Sequence, residues 1–471
     1  MTPRPSIYLR QMLPILTALF AAIATGTLIP SAASGGHLSL LIGAFLVVGV
    51  VGLLFAMPIR LLPAITLLVT LLVPTEASFV PHLLQGAALG AVPLAIWIIR
   101  APRSTQPAPV LRGLASLLGI WLILSTALTP LHTNKGLEWL FSVGLAIVFS
   151  VVCAPTGLTT RTFRALFLHV TTALGLYALL EGFILHHNPL FAVLFKHTTW
   201  WAAQHFNASY RVTTLLGHPL VNGLVFSAAA VLSASDLVRS SHKAPARLAR
   251  FLILVGATDA THSRSATLAL AIGVIVVIVF SRRGGRGWGM RRLVLTVGFV
   301  LAGALLLEGL QARDASRSGQ LSAEVRVAVI SRAVEAVNDL GPFGAGPGES
   351  EAYRRAKRLP GWNIDLENSY AQLAVSLGPI GALLMIALFV ATVVFGLQNP
   401  LVTGEAAGLL TILIAMAGFN AIEGHPPVGM LIAIFMIVII TAPRARLSPT
   451  EHEWIVEAQA APNTPSLLPV D

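Results

Sequence analysis

The chain has 471 residues, of which 55% are hydrophobic and only 11% are charged. A soluble globular protein has about a quarter of its residues charged, so this composition excludes a water-soluble fold. Apolar runs of about 15–25 residues recur along the chain, and each is long enough to cross a hydrocarbon core of about 30 Å as a helix. Runs such as residues 38–57 are apolar on every face, which excludes the alternating pattern of a transmembrane β-barrel.

These runs predict an all-α polytopic integral membrane protein with about 12–14 transmembrane helices. The predicted spans lie near residues 11–30, 38–57, 61–73, 83–99, 113–129, 138–154, 165–184, 219–238, 249–259, 267–280, 293–309, 369–397, 406–423 and 427–441. The predicted organisation is N-terminal transmembrane helices (1–184), a first large external loop (185–218), central transmembrane helices (219–310), a second large external loop (311–367), C-terminal transmembrane helices (368–441) and a cytoplasmic tail (442–471).

The formal net charge of +11 is distributed as the positive-inside rule requires. With a cytoplasmic N-terminus, the inward connections and both tails hold 19 of the 31 Lys and Arg residues, whereas the short outward loops hold only Lys135. The basic excess is therefore a topology signal, with lipid headgroups as the expected contacts and no nucleic-acid partner. It predicts a multi-pass protein of the cytoplasmic (inner) membrane.

The two large loops should carry structure of their own, because long connections are usually functional or disordered. In the first, Trp200, Trp201 and Phe206 suit a segment lying at the lipid headgroups. In the second, apolar residues recur at helical spacing over 321–340, which predicts an external amphipathic helix with Ser322 as its N-cap and Gly341 as its stop signal. Both loops are predicted to carry short helices of this kind on the external side.

The sequence predicts neither a metal nor a cofactor. Cys153 is the single cysteine, so an intramolecular disulfide and a cysteine-based metal site are excluded. No metal-ligand spacing and no glycine-rich nucleotide loop are visible.

Candidate functional residues cluster at outward helix ends, where an ionisable side chain at membrane depth suggests function. Arg211 and His218 flank the predicted helix start at Pro219, whose N-terminus is suited to anions. His262 and Arg264 interrupt the apolar stretch 249–280, where the alternative is a short polar turn. Further candidates are Glu367, Asn368 and Tyr370, with an acidic helix start as the alternative, and Asn420, Glu423 and His425, for which interfacial packing and hydration is favoured.

The order of these motifs resembles the O-antigen ligase and O-antigen polymerase superfamily of bacterial envelope glycosyltransferases. The resemblance rests on four motifs: Arg211…Gly217-His218-Pro219…Asn222, Thr261-His262-Ser263-Arg264-Ser265, Arg326…Arg332…Gly341-Pro342…Gly344…Gly346…Gly348, and Glu367-Asn368-Ser369-Tyr370…Gly378…Gly381. It covers about residues 205–385, and the glycine spacing after Pro342 is one residue shorter than in the family.

The resemblance implies transfer of saccharide units from a polyprenyl (undecaprenyl) diphosphate donor to an acceptor hydroxyl on the outer face of the membrane. The partners would be the lipid-linked donor, a saccharide, lipid or protein acceptor, and the bilayer. Such chemistry needs cations for the diphosphate charge and a base for the hydroxyl. We expect Arg211, Arg264 and Arg326 to supply the first, since arginine binds phosphate oxygens in pairs. The predicted substrate-binding residues are His218, His262, Arg332, Asn368 and Tyr370.

One position departs from the family: Glu367 stands where the ligase motif has a histidine. A carboxylate can still accept a hydroxyl proton if its pKa and position suit the task, so Glu367 is the predicted catalytic base. His218, His262 and His425 lie on the same predicted side and are alternatives.

Two other functional classes stay open at this point. A transporter or flippase of lipid-linked oligosaccharides would need ionisable residues deep in the membrane, where His169, Glu181 and Glu308 are the candidates. A polyprenyl-monophosphate-dependent sugar transferase would carry an acidic motif in the first outward loop, but residues 31–37 contain no carboxylate. The motifs do not separate ligation from polymerisation.

Overall fold

The computed structural model describes residues 49–73, 87–105, 108–129, 134–190, 205–206, 209–239, 244–280, 317–357 and 366–443. The predicted spans near 11–30 and 293–309, the pair Trp200-Trp201 and the candidate Glu308 lie outside these residues.

The described residues form fourteen labelled helices, one further helical segment and one small hairpin. The helices are α1 (Leu62–Leu72), α2 (Ala87–Arg100), α3 (Pro109–Leu128), α4 (Asn134–Trp139, a π-helical turn Leu140–Gly144, and Leu145–Val152), α5 (Thr160–Leu179 with a π-helical turn Leu180–Leu185), α6 (Pro219–Arg239), α7 (Ala244–Ala260), α8 (Arg264–Phe280), α9 (Arg317–Leu340), α10 (Ser350–Lys357), α11 (Ser369–Leu397), α12 (Thr403–Ala415 with a 3₁₀ turn Met416–Gly418), α13 (Ala421–Gly424) and α14 (Pro426–Thr441). Residues 49–56 are also helical. Strands β1 (His205–Phe206) and β2 (Ser209–Tyr210) pair antiparallel.

The prediction of an all-α polytopic membrane protein is confirmed. Within the described part of the chain, four helices are long and apolar enough to cross a membrane, namely α3, α5 with its π-helical turn, α6 and α11. Shorter apolar helices lie beside them, including α1, α8 and α14. The predicted span boundaries agree with these helices to within a few residues, because the apolar runs end at Pro, Gly or charged residues.

Helices α6 and α14 form the centre of the bundle. Almost every side chain of both is buried, as expected for helices that are apolar on all faces. Small residues bring the neighbours of α6 close, since a Cβ at Gly273 of α8 or Gly408 of α12 would touch Val231 or Leu232. Close approach of this kind provides the van der Waals packing that holds helices together in a membrane.

Helix α9 confirms the predicted amphipathic helix in the second large loop. Val329, Ala333 and Ala336 on its apolar face pack in a small separate core with Tyr353, Leu366 and Val375. The predicted N-cap is wrong, because α9 begins at Arg317, five residues before Ser322. No proline separates the two positions, so helix formation continues towards the N-terminus past the serine. The predicted stop is confirmed, since Gly341 follows Leu340 with a φ of +71°.

Helix α11 is kinked at Gly378, whose φ of +70° and ψ of 173° are not helical. Pro379 follows it and has no N–H to donate, so the carbonyl of Val375 loses its helical partner. The carbonyls of Val375 and Ser376 instead accept N–H groups from Ala345 and Gly346 at 2.8 and 2.9 Å, and Leu377 accepts the Trp121 indole N–H at 2.8 Å. The kink is therefore the position at which the glycine-rich turn after α9 (residues 341–348) docks.

The bundle has two different ends. One, the loop-bearing end, holds the hairpin, the α7–α8 junction, the glycine-rich turn and residues 419–425. At the opposite end, Arg164 of α5 forms ion pairs of 2.7 Å with Asp236 of α6 and 2.6 Å with Glu405 of α12. Glu405 is fully buried, so this network fixes three helices to one another where a lone charge would be costly.

Candidate functional site

Two histidines lie together at the centre of the loop-bearing end. His218 immediately precedes α6, and His425 immediately precedes α14, with 4.7 Å between their ring centroids. Phe419, at the end of α12, lies 6.2 Å from each ring. The His218 Nδ1 accepts the N–H of Leu220 at 3.2 Å, which fixes the ring orientation at the start of α6. The two central helices thus begin at one imidazole pair.

Burial favours the neutral form of both imidazoles. Burial lowers the pKa of His425 to about 4. Burial, followed by the charges of His425 and Arg211, lowers the pKa of His218 well below its ordinary value. A neutral imidazole can accept a proton or a hydrogen bond, so this pair can act as a base or as a polar contact for a hydroxyl.

Arg211 connects the first large loop to the α7–α8 junction. Its Nε donates to the carbonyl of Thr261 at 3.0 Å, and the neighbouring Val212 N–H donates to Ala260 at 3.3 Å. Arg264 begins α8 in the same junction, with its Nε and Nη2 shielded from solvent. His262 lies between them, exposed and with a φ of +50°. The structure therefore brings together the first two of the predicted arginine motifs.

A buried carboxylate holds the first loop in place. Glu181, in the π-helical turn that ends α5, accepts hydrogen bonds from the Tyr210 hydroxyl at 2.6 Å and from the N–H groups of Thr213 and Thr214 at 2.7 and 3.0 Å. Asn222 of α6 adds two more hydrogen bonds to this loop, because its side-chain amide donates to the carbonyls of Thr213 at 2.6 Å and His218 at 3.0 Å. Glu181 thus positions the loop that carries Arg211, which explains a buried acid without invoking transport.

The motif around Glu367 begins α11. Glu367 is exposed, and Asn368 is the N-cap, accepting the N–H groups of Tyr370 and Ala371 at 2.9 and 3.1 Å. The Tyr370 hydroxyl donates to the carbonyl of Leu413 in α12 at 2.6 Å. The structure gives Asn368 and Tyr370 protein partners, and these contacts fix the position of Glu367.

Ser369 is a positioning residue that the sequence analysis missed. Its hydroxyl donates to Phe419 at 2.8 Å and accepts the N–H groups of Ala421 and Ile422 at 2.9 and 3.3 Å. It therefore ties the start of α11 to the segment between Phe419 and His425. A small hydroxyl residue at a helix start was the available signal, since such residues satisfy exposed backbone groups.

Glu423 was also underestimated, because interfacial packing and hydration was the favoured interpretation. Its carboxylate accepts hydrogen bonds from the hydroxyls of Ser350 and Ser376, and Ser350 N–H donates to Ser376 at 2.9 Å. Burial raises the pKa of Glu423 to about 7, with a further contribution from the nearby Glu349. This cluster joins α10, α11 and α13 two residues from His425. Only the tertiary contacts between three distant segments define it.

The third motif contributes little to the described site. The side chain of Arg326 lies outside the described residues. Arg332 is exposed on α9 and pairs with Glu335 at 2.7 Å, which is a solvated ion pair one helical turn away. The glycines of the same motif have a clearer role: Gly344 has a φ of +72°, and a Cβ there would overlap the backbone of Ser376 and Gly378.

The fold and site define a helical membrane protein with a polar, arginine- and histidine-containing cluster at one end of the bundle. Residues 249–386 match the family model described as O-antigen ligase. This match supports the O-antigen ligase/polymerase family and confirms the resemblance that the motifs predicted. The family implies a glycosyltransferase of the ligase or polymerase type acting in a membrane. A comparison with curated proteins found no significant match.

The matched segment runs from α7 into the second half of the kinked α11, so it contains Arg264, α9, the glycine-rich turn and the Glu367 motif. Arg211 and His218 precede it, and Glu423 and His425 follow it. The contacts described above connect residues from outside the matched segment to those inside it.

Proposed function

We propose that the protein transfers saccharide units from a polyprenyl (undecaprenyl) diphosphate to an acceptor hydroxyl at the outer face of the cytoplasmic membrane, in cell-surface polysaccharide biosynthesis. The observation that carries the proposal is the convergence of Arg211, His218 and the Arg264 junction at one end of the bundle. The Arg264 junction is more than 40 positions from Arg211 and His218 in the sequence, yet Arg211 contacts Thr261 directly.

In the proposed reaction, the acceptor oxygen attacks the anomeric carbon while the bond from that carbon to the diphosphate oxygen breaks. The electron pair of the breaking bond leaves with the diphosphate. Arg211, Arg264 and Arg326 stabilise the negative charge that develops there, because a guanidinium pairs with two phosphate oxygens and stays protonated. The N-termini of α6 and α8 lie at the same end, and the positive ends of their helix dipoles favour the same anion.

The proton of the acceptor hydroxyl goes to Glu367 in this proposal. An exposed carboxylate fixed by the Asn368 cap and the Tyr370 hydrogen bond can meet an acceptor that arrives from solvent. His218 and His262 contact the saccharide, and Arg332 contacts the substrate at the edge of the site. The neutral His218 and His425 pair is the rival proton acceptor.

Incubation of the purified protein with a polyprenyl-diphosphate oligosaccharide and an acceptor tests the activity. A ladder of products would identify a polymerase and a single product a ligase. No product with any acceptor would contradict the proposal.

Glu367→Gln tests the base separately. The substitution removes the basic carboxylate, and loss of a general base costs about 10²–10⁴ in rate. An acid that only favours the helix N-terminus contributes about 0.3–1 kcal/mol, which leaves turnover nearly unchanged. Glu367→His should restore part of the activity, and Asp339→Asn on the exposed face of α9 is the control. Normal turnover of Glu367→Gln would transfer the assignment to His218 and His425.

A further inference from the structure

A second polar cavity lies at the opposite end of the bundle from the candidate site. It has a volume of about 860 Å³ and lies between the start of α5, the end of α6, the start of α7 and the end of α14. The proposed glycosyl transfer does not use it. Each of these helix ends adjoins a connection or tail that is predicted to face the cytoplasm.

The charge in this cavity is strongly positive. Among the described residues, the lining includes five arginines and a single acidic residue, Asp236; the arginines are Arg161, Arg164, Arg239, Arg247 and Arg250. Glu405 lies behind the wall and pairs with Arg164. Two carboxylates therefore face five guanidinium groups, and an excess of positive charge persists in a partly enclosed space. Such a space attracts anions, because the walls of a cleft concentrate the field of the unbalanced charges.

Three of the arginines build the wall. Arg164 pairs with Asp236 and Glu405, Arg239 donates to the carbonyls of Leu401 and Pro400, and Arg247 donates to the carbonyl of Asp236 at 2.9 Å. Their guanidinium groups are fixed by protein contacts.

The other two arginines of the cavity differ from these three in their contacts. Arg161 and Arg250 form no hydrogen bond or ion pair with the residues that the structure describes. Arg161 lies in the first turn of α5, where Thr159 caps the helix and the dipole adds positive potential. The cavity therefore offers two available guanidinium groups beside a helix N-terminus.

The remaining lining is mixed. Its polar side chains are four threonines and His169, and its larger apolar side chains are Leu158, Leu168 and Leu401. A phosphate group on a lipid would satisfy both parts of the cavity, with its charge on the arginines and its glycerol and upper chains on the leucines. We propose that this cavity binds the phosphate headgroup of an anionic phospholipid at the cytoplasmic surface, where such lipids concentrate and basic pockets between helices recognise them.

The test uses the full-length protein purified in a neutral detergent, with phosphatidylglycerol as the probe and native mass spectrometry as the readout. Wild-type protein should retain phosphatidylglycerol over phosphatidylcholine. Arg161→Gln combined with Arg250→Gln should weaken retention about thirtyfold, since each of the two basic residues contributes about 1 kcal/mol near an anionic surface. Arg60→Gln is the matched control, because Arg60 is exposed, is predicted to lie on the same side and does not line the cavity.

Addition of inorganic diphosphate distinguishes the source of the phosphate. Displacement of phosphatidylglycerol would show that a soluble anion suffices, and persistence would show that the lipid chains contribute. Arg161→Lys combined with Arg250→Lys keeps the charge and should bind nearly as wild type, which separates loss of charge from misfolding. Equal retention by the Gln variant and the wild type, or equal retention of the two lipids, would overturn the proposal.

Discussion

Arg211 and Arg332 differ in what their surroundings allow them to do. Arg211 is half-buried, and its Nε is fixed by Thr261, so its remaining nitrogens have a defined direction. Arg332 is exposed and pairs with a carboxylate on its own helix, and such exposed pairs contribute little. From the sequence alone, Arg211 and Arg332 would be expected to bind phosphate equally well, and only their surroundings in the structure distinguish them.

Substitution of the junction arginines should separate charge from geometry. Arg211→Ala and Arg264→Ala should each lower turnover about 10²–10³-fold, the usual loss when one group that stabilises developing charge is removed. Lysine at either position keeps the charge but loses the paired fork, so it should rescue only part of the activity. Product formation at matched protein levels is the measurement. Arg355→Ala, on the exposed face of α10, is the control and should behave as wild type.

The raised pKa of Glu423 predicts that the free energy of unfolding depends on pH. Its folded pKa of about 7 lies above its ordinary value of 4.5, so the folded state holds a proton that the unfolded state releases. The stabilisation is present below about pH 4.5 and is lost as the pH rises through 7. His425 acts in the opposite direction, because its folded pKa is about 4 and its contribution is lost as the pH falls below 6.5.

Glu423→Gln isolates the first effect, since an amide can accept from one serine and donate to the other without titrating. The thermal midpoint of the variant, compared with that of the wild type in detergent, should rise progressively from pH 5 to pH 8. His425 is present in both proteins, so its contribution to the pH dependence cancels when the two midpoints are compared. Parallel midpoints across this range would show that Glu423 titrates near its ordinary value.

At the scale of elements, the kink in α11 and the glycine-rich turn form one unit. The turn donates N–H groups to α11 carbonyls that the kink leaves without helical partners, and the Trp121 indole N–H of α3 donates to a third carbonyl. The Trp121 ring also stacks on Phe343 with 4.9 Å between centroids. Backbone carbonyls exposed inside a membrane are costly, so each half of this unit requires the other.

Alanine at Gly344 should therefore destabilise the protein more than alanine at Gly341. Both glycines have a φ near +71°, so both substitutions cost about 1–2 kcal/mol in backbone strain. A Cβ at Gly344 also overlaps the α11 backbone, whereas nothing lies within 4 Å of a Cβ at Gly341. Overpacking adds about 1–3 kcal/mol, and thermal unfolding in detergent would measure the difference. Equal midpoints would mean that the turn does not dock at the kink.

At the scale of the whole molecule, the orientation of the bundle in the membrane decides which end meets the lipid-linked donor. The positive-inside pattern predicts that the loop-bearing end is external. Residues for a direct test are exposed at both ends, with Ser331 on α9 at one and Thr162 on α5 at the other.

Cysteine accessibility measures this orientation. In a Cys153→Ala background, Ser331→Cys should react with an impermeant thiol reagent in intact cells, and Thr162→Cys should react only after the membrane is permeabilised. The reverse pattern would place the arginine and histidine cluster at the cytoplasmic face and contradict the proposed reaction.

The sequence by itself determined most of the helices and the resemblance to the O-antigen ligase family. Apolar runs bounded by proline, glycine and charge are local signals, so the membrane class, α9 and most helix ends could be read directly, and the ordered motifs identified the ligase resemblance. The start of α9 was missed because a capping serine does not end a helix when the preceding residues also tolerate helical geometry.

Only the tertiary structure decided which polar residues share a site. His218 and His425 are separated by the whole Arg264 and Glu367 region, and no spacing rule indicates that their rings lie 4.7 Å apart. The same holds for Glu423 with Ser350 and Ser376, and for the five arginines of the cavity at the opposite end. Burial and hydrogen bonding of an ionisable group depend on which helix ends pack together, and packing between distant segments is a property of the folded bundle rather than of any local pattern.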